Sequence, residues 1–252
     1  MTGDLLQIHG LTRQFGGLTA VDGVNMALAP GEILGLIGPN GAGKTVCFNL
    51  ISGVLKPTSG QVWFNRRRID GQSPHRVAAR GIGRTFQIVK PFADLTVLEN
   101  VLVAQGIDRY RSIWRIWGPW RTKIQARAAR EILVRVGLAD LADRRAGLLP
   151  LGHLRRLEIA RALVVGHKLL LLDESFSGLR HEEVESLASL IRSIRELGIA
   201  VLLIEHNMRV AMDLCDRMVV LDHGRKIAEG PPSEIRRNAD VIEAYLGGQH
   251  VA

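Results

Sequence analysis

The run Gly38-Pro39-Asn40-Gly41-Ala42-Gly43-Lys44-Thr45 has the residue types and spacing to hold a chain of phosphates. Glycines so placed let the backbone turn tightly enough for successive N–H groups to converge on phosphate oxygens. A helix starting near Lys44 adds the positive end of its dipole. The run matches G-x-x-x-x-G-K-[ST] in full and lies between an expected strand and an expected helix, the context this P-loop motif requires. The Lys44 ammonium is expected to reach β- and γ-phosphates and the Thr45 hydroxyl to ligate Mg2+, so ATP with Mg2+ is the expected ligand pair.

A second constellation supports the first. Leu169 to Leu172 is an apolar run ending in Asp173-Glu174, the pattern of a buried strand that delivers two carboxylates to the edge where open α/β sheets bind ligands. Asp173 is then expected to hold Mg2+, directly or through water, and Glu174 to polarise an attacking water.

These residues need a scaffold. Glu32 to Ile37, Gln61 to Asn65, Leu169 to Asp173, Ala200 to Glu205 and Met218 to Asp222 read as strands. Lys44 to Ser52, Lys123 to Val136, Leu154 to Val165, Glu182 to Leu197 and Pro232 to Leu246 read as helices. This alternation predicts an α/β fold with a largely parallel sheet, and with the phosphate motif of Gly38 to Thr45 the expected fold class is a RecA-like P-loop NTPase. Residues 1–252 form one expected domain, with a helical subdomain inserted at about 91–165. Within it, Trp114, Trp117 and Trp120 recur among arginines, either as a basic aromatic surface near lipid headgroups or a partner, or as packing inside the insert. Gly118-Pro119 argues against one continuous helix there.

The 252 residues are 46% hydrophobic and 23% charged, enough for a sizeable core. No apolar run approaches the roughly 18 to 20 residues that cross a bilayer, and Met1 to Gly10 lacks a signal-peptide layout, so a cytosolic location is expected. Cys47 and Cys215 read as reduced core residues. The net charge of +8 favours an anionic partner, but the arginines are spread along the chain, and no nucleic-acid partner is expected.

At this level of detail the chain resembles the ATP-binding subunits of ABC transporters. The resemblance runs through the P-loop, Gln87 in Arg84-Thr85-Phe86-Gln87, Thr96-Val97-Leu98-Glu99-Asn100, the helix Arg155 to Ala162, Asp173-Glu174 and His206 in Ile204-Glu205-His206-Asn207. Phe15 to Val21, Gly83 to Gln87, the tryptophan-bearing insert and Val241 to Gly247 are most like subunits that energise import of leucine, isoleucine and valine. The resemblance implies that Phe15 stacks on adenine, that Gln87 touches Mg2+ or water and relays nucleotide state, and that His206 holds the γ-phosphate and the water. It implies an ATPase peripheral to the cytoplasmic face of the inner or plasma membrane. Its partners would be membrane permease subunits, a second ATP-binding subunit in a homo- or heterodimer and, indirectly, a periplasmic or extracellular binding protein.

Five positions depart from the family pattern. The signature Leu-Ser-x-Gly-Gln, which caps ATP held by the opposite subunit, is here Leu149-Pro150-Leu151-Gly152-His153. Pro150 has neither hydroxyl nor N–H to offer. Val46, closing the nucleotide-binding run, stands where a second threonine is usual; Ser175 replaces a proline, and Arg180 replaces an asparagine or aspartate. The leading expectation is an ATPase that drives branched-chain amino-acid import beside a non-identical subunit. The alternative is a hydrolysis-impaired regulatory subunit. A soluble relative acting on RNA or DNA is disfavoured by the lack of a second fused cassette or long coiled coil.

Overall fold

The structure, a computed structural model, describes residues 3–85, 90–106 and 123–247. Gln87, Trp114, Trp117 and Trp120 lie outside the described residues.

Strands β1 (Leu6–Phe15), β2 (Leu18–Leu28), β4 (Ser59–Phe64) and β5 (Arg67–Arg68) form an antiparallel sheet in the order β2-β1-β4-β5. Strands β3 (Ile33–Ile37), β6 (Ile82–Arg84), β7 (Leu169–Asp173), β8 (Ala200–Ile204), β9 (Arg217–Asp222) and β10 (Arg225–Gly230) form a second, in the order β10-β9-β3-β8-β7-β6. Only the β9–β10 pair of this sheet is antiparallel. Every residue of β3, β7 and β8 is buried. Such strands carry apolar side chains on both faces, which is why their sequences do not alternate.

Alternate side chains of these strands feed two cores. Leu34, Leu36, Leu169 and Leu171 face helix α1 (Lys44–Ile51) and the antiparallel sheet, packing with Cys47, Phe48 and Leu50. Ile33, Ile37, Leu170 and Leu172 face the other way. They pack with α3 (Val97–Gly106), α4 (Lys123–Arg135), α5 (Leu151–Leu163), α6 (His181–Glu196) and α7 (Met208–Leu214). Helix α6 buries Leu187, Leu190, Ile191 and Ile194, a stripe at helical spacing. A short helix, α2 (Pro74–Ala78), precedes β6. Both cysteines are buried and free, and burial pushes each thiol up to about 12.

One expected helix is divided. Pro232 to Leu246 forms α8 (Pro232–Ile235) and α9 (Ala239–Gly247), because Asn238 restarts the helix, its Oδ1 accepting the Val241 N–H at 3.2 Å. The antiparallel sheet was foreshadowed only by Gln61 to Asn65. Register shifts between Ile8 and Leu11, Leu11 and Arg13, and Arg13 and Gln14 interrupt the alternation that marks a strand. No helix among the described residues is long and apolar enough to cross a membrane.

Candidate nucleotide site

Between β3 and α1 the chain makes a tight loop. Gly38 has φ +147°, and a Cβ there would run into the Leu221 carbonyl. Only glycine accepts both constraints. Gly43, in the left-handed region, begins α1. The turn between β9 and β10 braces the loop, Gly224 N–H donating to the Ala42 carbonyl at 3.1 Å. Lys44 is only 5% exposed, and its Nζ donates to the carbonyls of Gly38 at 2.7 Å and Pro39 at 2.8 Å. Burial lowers its pKa, while Glu174 and Asp173 pull the other way. Asn40, Gly41 and Thr45 are exposed at the mouth; Pro39 and Val46 are half-buried and Ala42 is buried.

The carboxylates arrive from the neighbouring strands. Asp173 pairs with Ile204 in the parallel β7–β8 ladder, and the ladder continues one step as Glu174 N–H donates to the Ile204 carbonyl at 3.0 Å. Glu174 takes φ +49°, a left-handed conformation that costs a non-glycine residue about 1–3 kcal/mol. That turn brings its Oε1 to 2.6 Å from His206 Nε2, on the segment leaving β8. The strain sits where an acid must reach a histidine.

Asp173 is buried beneath them. Burial raises its carboxyl above the ordinary aspartate range, and the neighbouring Arg84 guanidinium opposes this through its charge and a 3.1 Å hydrogen bond to Oδ2. Arg84 also donates to Asn49 Oδ1 at 2.7 Å and Ser52 Oγ at 2.9 Å, both on or just beyond α1. Thr85 Oγ1 and Ser175 Oγ, both buried, lie 3.3 Å apart behind the same turn. Glu205, 4% exposed, is raised by burial and accepts the N–H groups of Phe176 at 3.2 Å and Asn207 at 3.1 Å, bracing the segment that bears His206.

Phe15, 41% exposed, closes the β1–β2 hairpin opposite Leu18, with the Arg13 guanidinium 4.5 Å from its ring centre. Farther along β2, Ala20 abuts Gly43 of the loop. The expected signature residues form a separate edge. Leu149 is buried, Pro150 is the exposed N-cap of α5 without a side-chain hydrogen bond, and Leu151, Gly152 and His153 open the helix. A Cβ on Gly152 would lie 2.7 Å from Glu183 Oε1, and the Oε2 of that carboxylate accepts the Arg180 N–H at 2.9 Å.

The structure therefore brings together the loop from Gly38 to Thr45, Asp173, Glu174 and His206. It adds Arg84, Asn49, Ser52 and Glu205, to which sequence reasoning gave no role. Among the described residues no group of three or more His, Cys, Asp and Glu is arranged to hold a metal. Thr45 and Asp173 nonetheless supply the hard oxygen donors that Mg2+ takes in ones and twos beside substrate phosphates. The residues fit Mg2+ with a nucleotide: the loop is a cradle that a side chain at Gly38 would destroy, and the buried Lys44 ammonium points its donors at the loop's own carbonyls.

Comparison with known proteins decides what this arrangement is. The family model described as ABC transporter matches residues 21–177. The chain belongs to the ABC transporter ATPase family. A model described as branched-chain amino acid ATP-binding cassette transporter matches residues 225–251. The ABC cassette is 42% identical to the high-affinity branched-chain amino acid transport ATP-binding protein BraF of Pseudomonas aeruginosa, over 98% of this chain and 99% of that protein. It is equally similar, with the same coverage, to LivG of Escherichia coli K12. Among solved structures it resembles the ADP conformation of the ATP-binding cassette MJ1267, with a TM-score of 0.87 and 31% identity over 98% of this chain and 100% of that one. The ABC cassette is thus a nucleotide-binding P-loop ATPase with an α/β, mostly parallel sheet. Importer subunits of this family act with membrane permeases and dimerise.

Proposed function

We propose that this chain is the ATP-binding subunit of an ABC importer, hydrolysing ATP to drive uptake of branched-chain amino acids through a membrane permease. The carrying observation is the complete phosphate loop facing Asp173 and the Glu174–His206 pair, in a chain 42% identical to BraF and LivG along nearly its whole length. It sits peripherally on the cytoplasmic face of the inner or plasma membrane. The helical subdomain at about 91–165 docks on the permease, which a periplasmic or extracellular binding protein loads.

Each residue has a step. Phe15 stacks on adenine, and the amides from Gly38 to Thr45 take up the phosphates. Lys44 exchanges the carbonyls of Gly38 and Pro39 for β- and γ-phosphate oxygens. Thr45, Asp173 and Gln87 hold Mg2+, which supplies neutralisation of phosphate charge when bound. Glu174 accepts a proton from water as the water oxygen bonds to the γ-phosphorus and the bond to the ADP oxygen breaks. His206 keeps Glu174 and the γ-phosphate in line.

Leu149 to His153 face the ATP of a partner subunit. With no hydroxyl or N–H at Pro150, this edge completes that site poorly, and a second, non-identical ATPase subunit supplies the intact signature for this chain's own ATP. If two copies of this chain pair, the uncapped α5 and Arg180 weaken both sites, which favours a second reading, a regulatory subunit that binds ATP and cleaves it weakly.

Uptake of labelled leucine into vesicles containing permease, binding protein and both ATPase subunits tests the proposal. Glu174→Gln is expected to keep ATP affinity while hydrolysis and uptake fall by about 100-fold or more. Equal hydrolysis by parent and variant would support the regulatory reading. Hydrolysis without leucine uptake would exclude the substrate class.

A further inference from the structure

We propose that Arg84 is a positioning residue for the metal-binding carboxylate, tying Asp173 Oδ2 to the helix that leaves the phosphate loop and presenting Oδ1 to Mg2+. The proposal rests on the reading of Asp173 as the acid that holds the metal.

Arg84 ends β6, the strand beside β7, and its side chain is 13% exposed. One terminal nitrogen donates to Asn49 Oδ1 on α1 at 2.7 Å and to Ser52 Oγ at the C-cap of that helix at 2.9 Å; the other donates to Asp173 Oδ2 at 3.1 Å. The guanidinium carbon lies 6.0 Å from the centre of the Phe48 ring. A planar fork pinned at both tips and flanked by a ring cannot follow a carboxylate as it rotates, so the carboxylate conforms to the fork. Asp173 is 8% exposed, and a carboxylate so buried is costly to leave without its cation. The consequence is specific. Asn49 lies on the helix that begins with Lys44 and Thr45 and Ser52 caps its end, so one guanidinium sets the distance between the phosphate loop and the acid opposite it. Outer-shell groups of this kind orient metal ligands, and their loss characteristically weakens metal affinity. A lysine, with one compact ammonium, reaches fewer of the three partners.

The test measures binding of a fluorescent ATP analogue to the full chain, first in EDTA and then across a MgCl2 titration. Arg84→Met is expected to bind the analogue in EDTA within about twofold of the parent, while the Mg2+ concentration for half-maximal effect rises about tenfold. Arg84→Lys should recover part of that shift. Asn49→Ala, which leaves Arg84 and Asp173 intact and only loosens the tether, should shift the Mg2+ requirement the same way by a smaller factor. It decides the matter if Arg84→Met does not fold. An unchanged Mg2+ requirement in these variants overturns the proposal. A lower one does too, since Arg84 would then compete with the metal for Asp173. Asp173→Asn separates the two levels of failure. If it raises the Mg2+ requirement where Arg84→Met does not, only the role of Arg84 falls; if it changes nothing, the reading of Asp173 falls as well.

Discussion

Asp173 is a single side chain held at a cost to the fold. Its carboxyl is raised by burial above the ordinary value of 3.8, against the pull of Arg84. A carboxyl whose pKa is raised by folding disfavours the fold once it ionises, so the cost is absent below the unfolded value and complete above the folded one. Asp173→Asn removes the cost. In thermal unfolding without nucleotide, the variant should match the parent at the acid end and become the more stable as pH rises through that window. A stability gap that closes with rising pH would contradict this. The loop residues, Asp173 and Glu174 were legible in the sequence because their types and spacing have few other uses. The roles of Arg84 and Glu205 were not: both stand in the motifs around Gln87 and His206, but a motif does not say which neighbour a side chain braces, and that of Arg84 appears only when β6, α1 and β7 meet, that of Glu205 only when the segments leaving β7 and β8 meet.

Among the elements, the phosphate loop depends on backbone conformation more than on side chains. Gly38, at φ +147° against the Leu221 carbonyl, has no room for a methyl group. Gly38→Ala should therefore lower the unfolding temperature and weaken ATP binding by about tenfold or more, since strain of this kind costs about 1–3 kcal/mol before any clash. Wild-type affinity in a folded Gly38→Ala variant would show that the loop adapts. Strands β3, β7 and β8 were readable as unbroken apolar runs, because a strand buried on both faces needs nothing else. The antiparallel sheet was largely hidden by the register shifts of β1, and β10, with Arg225, Lys226 and Glu229, is too polar to announce itself. The break between α8 and α9 turns on Asn238, a capping residue that a search for helix starts would have found.

For the whole molecule, the proposal of an asymmetric pair makes its own demand. A homodimer carries Pro150 and His153 at both sites, whereas a mixed pair completes this chain's Gly38–Thr45 loop with an intact signature. Purified homodimer should turn over ATP slowly. Pro150→Ser with His153→Gln should raise that rate by about tenfold or more, the effect of regaining at least one charge-assisted hydrogen bond worth about 1.5–3 kcal/mol. No gain in the double variant would place the limitation elsewhere.

All of this depends on ATP binding in the loop that Lys44 closes. The most direct measurement is equilibrium binding of ATP with Mg2+ to the full chain and to Lys44→Ala. Loss of the buried ammonium, which donates to Gly38 and Pro39 in this structure, should weaken binding by about 10- to 100-fold. Equal affinity in the two proteins, or no affinity in either, would contradict the account.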